Sequence, residues 1–142
     1  MIEPFPAWRF VHPDVAGPPA SGLQVSATGG IELVSGDRSI HQAILILIST
    51  RPGERVMRPS YGCDISPFLF SPNDETTAGL AIHFVRQAVE RWEPRVDVIA
   101  VDAVQDDHEP ELLRVTLTYR VRMTLETTTA AISIGPSGVT GE

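Results

Sequence analysis

From residue 113 to residue 125 the chain alternates apolar and polar side chains without a break. Leu113, Val115, Leu117, Tyr119, Val121, Met123 and Leu125 fall on one side, and Arg114, Thr116, Thr118, Arg120, Arg122 and Thr124 on the other. A period of two belongs to extended backbone, whose successive side chains point to opposite faces. The pattern predicts a long strand with one face buried, so the chain must supply apolar surface to cover it.

Two segments can do so. Ile40, Ile44, Leu47 and Ile48 follow the i, i+4, i+7, i+8 spacing of a helix that ends before Pro52. Asp37 or Ser39 can cap its start. A second helix, from about residue 75 to residue 92, carries an inner stripe of Ile82, Val85, Val89 and Trp92. Arg86, Gln87, Glu90 and Arg91 lie opposite; Ser71, Asn73 or Asp74 can cap this helix, and Pro94 stops it. Residues 30–34, 96–104 and 130–134 read as further strands, with a helical turn at 66–70 and a polar turn at 105–110. The expected fold is α+β, a small mixed or antiparallel sheet with two helices packed on one face. Residues 1–30 hold five prolines and four glycines among Phe5, Trp8 and Phe10. Such density blocks helix and central strand, so 1–29 is expected to be an extended Pro-rich arm that docks through its aromatics. The domain then spans 30–135, and 136–142 is expected to be a flexible tail.

At 142 residues and 42% hydrophobic content the chain fits one soluble domain, burying roughly 68–70% of its unfolded surface. The longest apolar run, residues 43–48, is too short for a bilayer, and the N-terminus lacks the basic and apolar regions of a secretory signal. Synthesis in the cytoplasm is expected, with no membrane insertion. A net charge of −7 argues against nucleic acid, which requires a basic footprint. All 11 basic residues are arginine, the planar fork suited to bidentate carboxylate pairing. The single cysteine, Cys63, excludes an intramolecular disulfide and a thiolate zinc cluster.

Catalytic chemistry finds no foothold. His12, His41, His83 and His108 are scattered without ligand spacing, so neither metal nor other cofactor is expected. Glu54 and Glu93 could serve as a glycosidase pair, but each has an arginine beside it, Arg55 and Arg95. A nearby cation lowers a carboxylate's pKa, the wrong direction for a general acid. No residue is assigned a catalytic role.

Two motifs remain. Residues 50–62 contain the turn Pro52-Gly53-Glu54-Arg55 and then Pro59-Ser60-Tyr61-Gly62. About forty residues on, Trp92-Glu93-Pro94-Arg95-Val96 closes the second helix. Arg95 can cap its own helix, whose C-terminus carries partial negative charge, or it can form with Glu93 a rigid corner that bonds to another chain.

These motifs, in order with the apolar helix, Phe68-Leu69-Phe70 and the alternating strand, resemble the sheath-initiator family of baseplate wedge proteins. That family occurs in contractile-tailed phages, type VI secretion systems and extracellular contractile injection particles, and the likeness covers roughly residues 30–125. The resemblance implies a structural, non-enzymatic subunit that joins the helical core bundle of the wedge to the first sheath ring. It places the bundle contact on Glu93, Pro94 and Arg95, with Glu54 and Arg55 beside them. It also implies six copies around the tube and a sheet edge on which sheath strands add, expected within residues 112–134 and involving Arg120, Arg122, Thr124, Ile132 and Ile134. The chain departs from the family pattern at its end, where Ile132-Ser133-Ile134-Gly135-Pro136 replaces an aromatic Pro-Phe-Tyr strand. A related small fold serves as a free regulatory adaptor; an isolated adaptor would not need both motifs.

Overall fold

The computed structural model describes residues 5–11, 22–68, 72 and 74–141. Its centre is an antiparallel sheet of four strands in sequence order, β5 (Val96–Gln105), β6 (Leu113–Val121), β7 (Thr127–Gly135) and β8 (Gly138–Gly141). Before it come four two-residue strands, β1 (Ala7–Trp8), β2 (Phe10–Val11), β3 (Gly22–Leu23) and β4 (Leu33–Val34). Helix α1 spans Asp37–Ser49, a 3-10 turn spans Ser66–Phe68, and helix α2 spans Glu75–Trp92.

The alternating segment supplies the buried face. Leu113, Val115, Leu117, Tyr119 and Val121 are all buried, as are Ala130, Ile132 and Ile134 on the paired β7. Ile40, Ile44, Leu47 and Ile48 of α1 and Ala81, Val85, Ala88 and Val89 of α2 complete the same core. The expected α+β architecture, with both helices against the sheet, is what the chain adopts. No helix among the described residues is long and apolar enough to cross a membrane.

The alternation outlasts the strand. Strand β6 ends at Val121, because Val121 N donates to Glu126 O (2.9 Å) and Leu125 N donates to Val121 O (2.8 Å), closing a hairpin. Leu125 sits at φ 60°, left-handed backbone that stops an extended run, and both it and Met123 are exposed. Strand β5 breaks parity in the opposite way. Val96 and Val98 pair with Val121 and Tyr119, then the register shifts and Val101 and Ala103 pair with Leu117 and Val115. The extra residue lies between Val98 and Ala100, and this bulge turns half-exposed Ile99 outward while returning Val101 to the core side.

Other boundaries differ from expectation for local reasons. Gly36, at φ 61°, is the N-cap of α1 and makes no side-chain cap bond; Asp37 and Ser39 lie inside the helix instead. Asp74 does cap α2, its Oδ1 accepting from Thr77 N at 2.8 Å, while Ser71 and Asn73 lie outside the described residues, as do 69–70. The expected tail at 136–142 contains β8, paired with β7 through Gly135–Gly138. Within the expected arm, β1 pairs with β4 and β2 with β3, and residues 1–4 and 12–21 lie outside the described part. Gln42 of α1 holds this segment from both sides, accepting from Phe10 N and donating to Trp8 O, each at 2.9 Å.

Surface carboxylates give the fold a defined acid limit. The Arg122 guanidinium, helped by Arg120, holds Asp97 below the usual carboxylate range, and backbone N–H groups from Thr77 and from His108 and Glu109 do the same for Asp74 and Asp106. A depressed folded-state pKa stabilises above the unfolded value and stops doing so as pH falls through the folded one. Glu126, raised by its hydrogen bond with Asp37, acts in the opposite sense, stabilising at low pH and losing that contribution as pH rises. Three depressed groups outweigh one raised group, so the melting temperature is expected to fall below about pH 4. Thermal melts across that range should show a shallower acid slope for Asp97→Asn.

Candidate functional site

The C-terminus of α2 is built around a buried carboxylate. Glu93 is the C-cap, its N–H donating to Val89 O at 2.9 Å, and Pro94 turns the chain away from the helix. That exit folds Arg95 back onto Glu93. Arg95 Nε donates to Glu93 Oε1 and Nη2 to Oε2, both at 2.6 Å, and Arg95 N reaches Oε1 at 3.4 Å. Glu93 is only 5% exposed, whereas the Arg95 side chain is 30% exposed. The hydrogen bonds that Arg95 donates to the Glu93 carboxylate raise its already high pKa, so this cation stays charged at any working pH.

The corner is tied into three parts of the molecule. Arg95 O accepts from Arg122 N at 2.9 Å, joining the helix exit to the β6–β7 hairpin. The Phe5 ring lies 5.2 Å from the Arg95 guanidinium. Tyr61 packs edge-on against Trp92 with ring centroids 5.4 Å apart, bringing the 50–62 segment to the helix end. Arg55 lies over Tyr61 at 4.8 Å and Arg91 over Trp92 at 4.9 Å, so a guanidinium flanks the aromatic pair at each end. Burial pushes the Tyr61 hydroxyl pKa up, with Arg55 opposing and Glu93 reinforcing the shift.

The 50–62 segment is itself braced. Gly53 N donates to Pro59 O at 2.7 Å, Arg51 N to Glu54 Oε2 at 2.9 Å, and Cys63 N to Thr50 O at 2.9 Å. Gly62, at φ 129°, passes so close to the Thr50 carbonyl oxygen that a Cβ there would collide with it. Cys63 is buried, and burial raises its thiol pKa to about 12, which removes it as a nucleophile.

The sequence-derived site residues therefore divide. Glu93, Pro94, Arg95 and Arg55 converge on one corner, with Glu54 in the adjoining turn. Arg95 bonds the carboxylate of Glu93, the C-cap residue itself, so its local contact with the helix end is a side-chain pair. The proposed edge residues do not form an edge. Strands β6 and β7 are both internal, Ile132 and Ile134 are buried in the core, and Arg122 and Thr124 lie in the hairpin turn. Arg120 and Arg122 both engage Asp97, at 3.5 and 2.8 Å. Among the described residues the sheet's outer strands are β5 and β8. Sequence reasoning missed the Tyr61–Trp92 contact and Phe5 on Arg95, since neither has a periodic signal; the aromatic in each motif was the available clue.

Comparison with known proteins settles the family. The family model for baseplate wedge protein gp25 matches residues 34–126, spanning α1, both motifs and β6. The chain belongs to the gp25 family of baseplate wedge proteins. Over 75 residues it is 40% identical to baseplate wedge protein gp25 of Enterobacteria phage T4, a match covering 51% of this chain and 57% of that protein. The chain thus aligns with a little over half the length of that gp25 relative. Among solved structures, a Geobacter sulfurreducens protein provisionally assigned as a tail lysozyme superposes with a TM-score of 0.66 at 35% identity. That match covers 72% of this chain and 93% of the other. A chain in the baseplate of the anti-feeding prophage gives a TM-score of 0.67 at 25% identity, covering 82% of this chain and 86% of the other. The gp25 match stops at residue 126, so β7, β8 and the N-terminal ladders lie outside it.

The buried pair changes what an arginine deletion can report. Arg95→Ala strands a buried carboxylate, and the expected loss is roughly 1–3 kcal/mol, below the cost of breaking a fully buried pair because Arg95 is partly solvated. Adding Glu93→Gln should recover much of it. Denaturant unfolding of the single and double variants measures both effects.

Proposed function

We propose that the chain is a baseplate wedge subunit of a contractile injection machine, joining the wedge core bundle to the first sheath ring and initiating sheath assembly, with six copies around the tube. The observation that carries this reading is the docking corner at the end of α2. A gp25-family chain presents a rigid, permanently charged Arg95 and exposed Pro94, with Arg55 on the Tyr61 ring that packs against Trp92. Glu93 serves from inside, fixing the arginine fork rather than meeting the partner. Association through such a corner loses little conformational freedom, which favours affinity.

The sheath contact is best assigned to the outer edge of β8. Of the two open edges, β5 carries a bulge, a device that disturbs pairing, whereas β8 is regular and sits at the end of the sheet. Adding a sheath strand there is β-augmentation. The hairpin register, with Gly135 opposite Gly138, directs the Val139 N–H away from β7. Val139→Pro is expected to leave baseplate incorporation intact and stop sheath polymerisation, while Val139→Ala, which keeps that donor, should polymerise sheath normally. Sheath growing equally well on both variants would move the contact to another edge.

A hydrolytic role, suggested by the Geobacter neighbour's assignment, has little support in this chain's carboxylates. Both Glu93 oxygens are held by Arg95, and Glu54 accepts from the Arg51 backbone. Purified protein is expected not to clear peptidoglycan at any pH from about 4 to 8, the range in which carboxylate and histidine acids titrate. Clearing abolished by Glu54→Gln or Glu93→Gln would reverse this conclusion.

A further inference from the structure

The segment between Arg51 and Ser60 is exposed throughout, and its tip is apolar: Val56 is 95% exposed and Met57 91%. Single exposed apolar residues are ordinary, but two adjacent ones on a loop held in shape by its own hydrogen bonds are different. Besides the Gly53–Pro59 and Arg51–Glu54 bonds, Arg58 N donates to Arg55 O at 3.3 Å and Tyr61 N to Arg58 O at 3.1 Å. The loop is fixed below by the Tyr61–Trp92 contact and by Gly62 against Thr50. Val56 and Met57 cannot fold back without breaking this bracing, and they bury nothing in the chain's own core.

Charge says what kind of surface they meet. The ten residues 51–60 hold three arginines and one glutamate, in a chain whose net charge is −7. Arg55 and Arg58 flank the apolar pair directly. We propose that Val56 and Met57 form a plug that seats in an apolar socket ringed by carboxylates on a different protein of the baseplate. Buried apolar anchors with charged surroundings are the usual carriers of interface energy, and methionine adapts to an irregular socket. An anionic membrane is the poorer partner, since two side chains insert little apolar surface and the rest of the chain is strongly acidic.

This inference deepens the docking reading and rests on it. Benzoylphenylalanine placed at Met57 of the full chain, in assembled particles, is expected to crosslink on irradiation to a different baseplate protein, within a segment where apolar residues neighbour Asp or Glu. The double variant Val56→Ser with Met57→Ser should keep the wild-type melting temperature yet enter baseplates roughly tenfold less well. Arg58→Glu, which leaves the Arg55–Tyr61 contact in place, should behave alike. Crosslinking only to a second copy of this chain, to a basic segment or to nothing would overturn the plug. So would co-flotation of the wild-type chain with vesicles of phosphatidylcholine and phosphatidylglycerol that is lost in the serine variant. Full incorporation of the serine variant sinks the plug alone; a wild-type chain absent from baseplates sinks the docking reading itself.

Discussion

A carboxylate with almost no access to water has to be neutralised where it stands, and Glu93 is neutralised by a residue only two positions away. That short reach is possible because Pro94 turns the chain between them. The pair therefore locks the direction in which the polypeptide leaves α2, and this direction sets where β5 begins. Strand β5 starts at Val96 opposite Val121, with the Arg122 N–H bonded to the Arg95 carbonyl, so helix exit and sheet register are one constraint. The electrostatic reach of Glu93 extends into the core. Burial raises the Tyr119 hydroxyl to about 12, and Asp37 and Glu93 push in the same direction, keeping the ring neutral in the middle of the sheet.

The parts of the fold that could be read from sequence are those fixed by burial. Leu113 to Val121, the α1 stripe and α2 with its Asp74 cap repeat at the period of their own secondary structure, and water enforces that period directly. Features set by backbone pairing were harder to read. Met123 and Leu125 continue the alternation past Val121, yet a hairpin closes across them. Its closure depends on bonds to Glu126 and on a left-handed Leu125, neither of which leaves a mark in the hydrophobic pattern. The edge order was invisible for the same reason. Residues 112–134 look like candidates for an edge until β8, a Gly-rich segment resembling a frayed end, pairs beside β7.

The candidate site was legible in part. Glu93 and Arg95 could be paired on charge and spacing, but the sequence does not reveal that the glutamate points inward. A solvent-facing carboxylate and a buried one are written with the same letter, and burial here is decided by the tertiary fold. Arg55 illustrates the same point. Beside Glu54 it reads as a salt-bridge partner, whereas in the fold it lies on Tyr61 and Glu54 takes the Arg51 backbone.

The bulge in β5 gives the sheet a sense of direction. One edge is kinked by an inserted residue and the other is plain, so the two sides of the molecule are not interchangeable templates. A head-to-tail ladder of copies would set each plain edge against a kinked one. The β8 side offers the regular ladder, and the inserted residue belongs to the strand on the opposite side. The proposed sheath contact accordingly falls on the plain side alone.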